Sequence, residues 1–215
     1  MFFGDFEVWK LHSFSQYAFF IIYVAIVAAV IFYAIKKINS GRNDESAVKR
    51  VAKRFKKYKN GKVYNDITLD IGGEQLHYDH LIVDAAGLVA IRTIGRGLKI
   101  YGEPDSDTWK VTDNKEPDKR IPNPIKELEG SFEKLRKYLT SNGAYRVNID
   151  PLVIFADPFA PPELYLGRDS HCIIFDGVKI WAKNRMLRAD GRNNKPDALN
   201  VADISAALEK AAVKK

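Results

Sequence analysis

A carboxylate sits in the middle of a strand that has little use for a charge. Between Glu74 and Gly102, Leu76, Tyr78, His80 and Ile82 alternate with His77, Asp79 and Leu81, which is the period of a β-strand. An ionised Asp79 in such surroundings is costly unless a cation pairs with it or a metal takes it. Two roles therefore fit Asp79: metal ligand, or structural carboxylate paired with Arg92. His77 lies two positions away on the same strand face. A His77–Asp79 metal site is one reading, and an ordinary hydrogen-bonded strand histidine is the other. His80 is expected on the opposite face, in a packing role. The chain has no Ser/His/Asp arrangement, P-loop, Gly-rich dinucleotide motif or zinc-ligand spacing. Its one cysteine, Cys172, lies in the apolar run HCIIF. That excludes an intrachain disulfide, suits a reducing compartment and suggests a packed thiol.

The elements that position these residues follow from periodicity and turn chemistry. Asn43 or Asp44 caps a helix reaching to about Tyr58, with Val48, Val51, Ala52 and Phe55 as its apolar stripe. Lys62 to Asp70 is a strand, and Ile71-Gly72-Gly73 turns it into the meander that carries Asp79. Leu88 to Ile94 and Leu98 to Tyr101 continue that meander, and Thr108 to Val111 is a further short strand. Asp113 to Pro122 reads as a charged loop. Asn123-Pro124 opens a helix to about Thr140, with Ile125, Leu128, Phe132, Leu135 and Leu139 facing the core. Leu152 to Phe155 is uniformly apolar, as befits a central strand. Cys172 to Phe175 and Val178 to Trp181 read as two strands joined at Asp176-Gly177, Lys183 to Lys195 as a basic loop, and Val201 to Val213 as a terminal helix.

This order resembles the nuclease-related (NERD) domain, a distant relative of the PD-(D/E)xK nucleases. The resemblance rests on Tyr78-Asp79-His80-Leu81-Ile82-Val83 followed by Gly87-Leu88-Val89-Ala90-Ile91. Glu45 near the first helix, Trp109, Asn123-Pro124 with Glu127, and the strand Leu152 to Phe155 add to it. It implies a restriction-endonuclease-like mixed α/β sheet flanked by helices over residues 44–182. It also implies nuclease chemistry, in which carboxylates hold magnesium and a lysine helps to activate water. Here the pattern departs from the family: Arg92 stands at the second acid, Ile94 at the lysine and His77 at the acid before the aspartate. Asp79, Glu45 and Glu127 remain as remnant catalytic candidates. The expectation is a nuclease-derived domain with lost or impaired catalysis and no cofactor, or magnesium if active, that binds nucleic acid or a protein partner. The alternatives are an active nuclease with relocated residues drawn from Glu74, Glu103 or Lys99, and a membrane scaffold without a nucleic-acid role.

Charge and hydropathy add a membrane. Tyr17 to Ile35 is 19 residues without a charge, long enough to span a bilayer. The 215 residues carry a net charge of +7, unevenly spread. Residues 36–62 hold 11 basic residues against two acids, while the remaining 23 basic and 25 acidic residues leave the rest at −2. The positive-inside rule then places residues 1–16 outside and residues 36 onward in the cytoplasm. The organisation expected is an extracytoplasmic segment (1–16), a transmembrane helix (17–35), a basic juxtamembrane linker and helix (36–62), the NERD-like domain (44–182) and a C-terminal segment (183–215). Lys49, Arg50, Lys53, Arg54, Lys56 and Lys57 are the residues expected to meet anionic lipid headgroups or nucleic acid.

Overall fold

A computed structural model describes residues 14–40, 43–95, 97, 99–113, 116–157, 161–167, 170–193 and 199–213. The chain divides into two compact units, Met1–Gly41 and Arg42–Lys215. Within the first, α1 (Phe14–Ser40) contains the window Tyr17–Ile38, with mean hydropathy 2.8 and no buried share. It is long and apolar enough to cross a bilayer. Residues 1–13, most of the expected extracytoplasmic segment, lie outside the described residues.

The second unit is mixed α/β with two sheets. It opens with α2 (Asp44–Phe55), capped by Asn43, whose Oδ1 accepts from Ser46 N at 2.7 Å. The buried stripe of α2 is Ala47, Val51 and Phe55, one position away from the stripe expected at its start. Strands β1 (Gly61–Ile71), β2 (Glu74–Asp84) and β3 (Gly87–Ile94) form an antiparallel meander. Gly72 and Gly73, at φ 65° and 85°, make its first turn, in the region where a Cβ is penalised. β7 (Ile149–Phe155) pairs parallel with β3, and β9 (Cys172–Ile174) pairs parallel with β7. The resulting sheet order is β1-β2-β3-β7-β9, and β7 is an interior strand between β3 and β9, as suits its apolar run.

The expected meander does not continue into its next strand. β4 (Lys99–Gly102) leaves for a second sheet, ordered β6-β5-β4-β8, with β5 (Thr108–Asp113), β6 (Glu116–Pro122) and β8 (Glu163–Leu166). The segment read as a charged loop is therefore largely β6. Its alternation hid because it is an edge strand rich in charge, with Pro122 at its end. The helix expected from Asn123 is two helices, α3 (Pro124–Gly130) and α4 (Phe132–Ser141). At the break, Ser131 Oγ donates to Leu128 O at 2.7 Å and also meets the Tyr78 hydroxyl at 2.7 Å. All five predicted inward residues, from Ile125 to Leu139, are buried.

The C-terminal part differs most from expectation. After β9 comes a short 3-10 turn at Phe175–Gly177, then α5 (Val178–Asn193), where a strand and a basic loop were expected. α6 (Val201–Ala211) closes the unit. One face of the meander packs against α3, α4 and α6, the other against α2 and α5.

Candidate functional site

The ladder between β1 and β2 is interrupted opposite Asp79. Asn65 pairs with His80 and Ile67 with Tyr78, while the intervening Asp66 has φ 51°. Tyr78 and Leu81, three residues apart, belong to the same core layer, so the alternation of β2 breaks between them. On the other side, the pairing of β2 with β3 ends at His80–Ile91. Asp79 thus lies where the strands part. Its side chain takes over a ladder bond: Oδ2 accepts the backbone N–H of Thr93 at 2.6 Å.

Two basic side chains flank this carboxylate without closing on it. His77 Nε2 lies 3.5 Å from Asp79 Oδ1 and 3.8 Å from Asp66 Oδ1. Arg92 Nε lies 3.9 Å from Asp79 Oδ2. Burial pushes the Asp79 carboxyl above the usual carboxylate range, against the lowering influence of the Thr93 amide, Arg92 and His77. The Arg92 side chain is 43% exposed, so it is a loose neighbour rather than a buried, bidentate partner. The close partner of Asp79 is a backbone amide, which sequence could not name.

A cavity of about 280 Å³ opens beside this point. Its walls include Gln75, His77, Asp79 and Arg92 from the strands, and Pro124, Glu127 and Ser131 from the α3 side. Asp79, His77, Arg92 and Glu127 are therefore brought to one pocket. Glu45 is not among its walls; it pairs with Lys49 at 2.5 Å on the exposed side of α2. Its neighbour Asp44 instead accepts Gly95 N at 2.7 Å, and its charge is felt at Asp79. Ile94 packs against the hydrophobic core. Glu74 pairs with Lys134, and Lys99 lies 3.7 Å from Glu163, so neither brings a replacement group into the pocket.

The donor set can be tested against the magnesium implied by the nuclease resemblance. A hard divalent ion takes several oxygens, preferably more than one carboxylate. Asp79 is the one buried carboxylate on this wall, one of its oxygens is already used by Thr93, and a guanidinium stands beside it. Among the described residues no three His, Cys, Asp or Glu side chains gather closely enough to hold a metal ion. The residues do not fit the ion.

A second polar cluster was not anticipated at all. Asp84, fully buried, receives Arg185 Nε at 2.8 Å, Arg185 Nη2 at 3.0 Å, the Tyr58 hydroxyl at 2.6 Å and Ala86 N at 2.8 Å. Arg185 also donates to Asp150 at 3.0 Å. Every partner is satisfied, which is how a buried ion pair is tolerated. It staples α5 to the meander. His80 packs edge-on against Phe55 at 5.5 Å, its Nδ1 donating to Asn65 Oδ1 at 2.8 Å. Burial pushes its pKa down to about 4. Cys172 is pushed up to about 12 by burial, the behaviour of a packed thiol.

Neither a curated protein nor a solved structure matches the chain. The nuclease-related domain (NERD) family matches residues 40–156, from just before α2 to the residue after β7. That stretch holds Asp79, Arg92, Ile94 and Glu127, and it spans more than half of the 215 residues. On this match, over the meander, α3 and the pocket between them, the chain belongs to the nuclease-related domain family.

Proposed function

We propose that this chain is a membrane-anchored, nuclease-derived binding protein. Its pocket holds a nucleic-acid phosphodiester without cutting it, and residues 36 onward face the cytoplasm. The observation that carries the reading is Arg92 beside Asp79, with Ile94 packed against the core where a nuclease needs its lysine. A guanidinium there recognises phosphate while repelling the dication that hydrolysis requires. At about 4 Å and an effective dielectric constant near 20, two unit charges interact by about 4 kcal/mol, and a dication feels roughly twice that. The anchor is supported by the charge-free run from Tyr17 to Ile35 in α1, in a window with no buried share, and the orientation by the basic residues that follow that run.

The test is cleavage and binding by the detergent-solubilised full chain. Duplex and single-stranded DNA and RNA should bind, with Arg92→Ala weakening binding. No magnesium- or manganese-dependent cleavage should exceed that of a mock preparation. Cleavage abolished by Asp79→Ala would make the chain an active nuclease with relocated residues. Failure of every nucleic acid to bind would leave a protein partner or a scaffold role instead.

A further inference from the structure

A second surface involves none of the residues of the pocket. Lys53 and Arg54, at the C-terminal end of α2, and Lys57, in the turn that follows, face Lys179 and Lys183 of α5 across a groove of about 620 Å³. Among the described residues, none of those lining it is acidic. Arg54 is held over the Phe175 ring at 4.7 Å, so its guanidinium is placed rather than free to wander. On α5 the inward stripe is Val178, Trp181, Ala182 and Met186. The outward stripe alternates charge with oil: Ile180 is 66% exposed and Leu187 61% exposed. Ile180, Lys183 and Leu187 recur at helical spacing and share one face.

The expected lipid contacts on α2 alone are thereby redrawn. Lys49 is engaged by Glu45, and Arg50 turns inward to donate to Ala156 O at 2.6 Å. Lys53, Arg54 and Lys57 remain outward, and α5 supplies the other wall. Residues 178–193 lie beyond the stretch that matches the family, which takes in only the α2 wall of this surface.

We infer that the α2–α5 groove docks on an anionic bilayer surface, with phosphate headgroups between the two basic walls and Ile180 and Leu187 entering the interface. Basic side chains flanking exposed aliphatic ones are the composition of interfacial helices. A nucleic acid offers the same phosphates but nothing for Ile180 and Leu187. The bilayer is also at hand. α2 starts at Asp44, shortly after the apolar window ends at Ile38, and a link that short reaches at most about 20 Å. The inference rests on the membrane-anchored reading of α1.

The experiment is hydrogen exchange on the full chain in nanodiscs made of phosphatidylcholine, with or without phosphatidylserine. Amides of α5 and of the second half of α2 should exchange about ten-fold more slowly with phosphatidylserine at low salt. The protection should vanish at a few tenths molar salt, and in the Lys179→Glu/Lys183→Glu variant. Lys53→Glu/Lys57→Glu, on the other wall, should act alike. Equal exchange in both discs, or protection that survives either reversal, would overturn the inference. So would protection that an added single-stranded oligonucleotide supplies in place of the lipid. Retention of the chain in both kinds of disc, measured alongside, keeps this outcome separate from a failure of anchoring, in which the chain would leave both.

Discussion

Single side chains in this molecule differ most in how burial treats their charge. His80 is held neutral by burial, with its pKa near 4 against about 6.5 in an unfolded chain. Between those values the unfolded state binds the extra proton. The stabilising effect is therefore complete above about pH 6.5 and is lost as pH falls toward 4, by about 3 kcal/mol. Denaturant titrations across that window should show the slope, and His80→Leu should flatten it. Asp84 is the opposite case, a buried carboxylate whose oxygens are fully paired. Arg185→Ala leaves it buried and uncompensated and should cost about 3–5 kcal/mol. The double change Arg185→Met with Asp84→Asn should recover much of that, because it removes both charges rather than one. A double change no better than Arg185→Ala alone would show that packing, not charge, holds α5.

Elements meet the site through a few close backbone approaches. Gly95 follows β3, and a Cβ placed on it would lie 2.3 Å from Asn43 O. Its N–H meanwhile donates to Asp44. The N-terminus of α2 is thus seated directly on the end of the strand that carries Arg92. Gly95→Ala should push α2 away, with a loss of about 1–3 kcal/mol in unfolding free energy. Changes in amide chemical shift should be confined to α2 and the end of β3. An unfolding midpoint equal to that of the parent would mean that the helix accommodates the methyl. The break between α3 and α4 works in the same way, since the Ser131 hydroxyl that ends one helix also meets Tyr78 beside the pocket.

For the whole chain, the testable property is which side of a membrane each end occupies. On the proposed orientation, a cysteine introduced by Ser40→Cys should resist impermeant thiol reagents in intact cells, while one introduced by Gly4→Cys should react. Cys172 is half-buried and donates to Ser170 O, so it contributes little background. Labelling in the reverse pattern would place the pocket, and any nucleic acid bound there, on the other side.

Much of this was legible in the chain itself because it depends on local pattern. The apolar window of α1, the period-two stretches of the meander, the inward stripe from Ile125 to Leu139 and the caps at Asn43 and Asn123 all follow from side-chain spacing and backbone hydrogen bonding. So does the displacement of the nuclease motif, since Arg92 and Ile94 are read directly. The tertiary structure decided what depends on partners distant in sequence. Asp79 finds its hydrogen bond at Thr93 because two strands part there, and no spacing rule records where a ladder ends. Residues 183–193 belong to α5, and from that helix Arg185 reaches Asp84 and Asp150, partners that no local spacing names. Glu45 was singled out where Asp44 makes the contact, a difference of one residue set by how α2 lands on Gly95. The pocket and the basic groove both arise from surfaces brought together by packing, which is why their residue types were visible in the chain and their grouping was not.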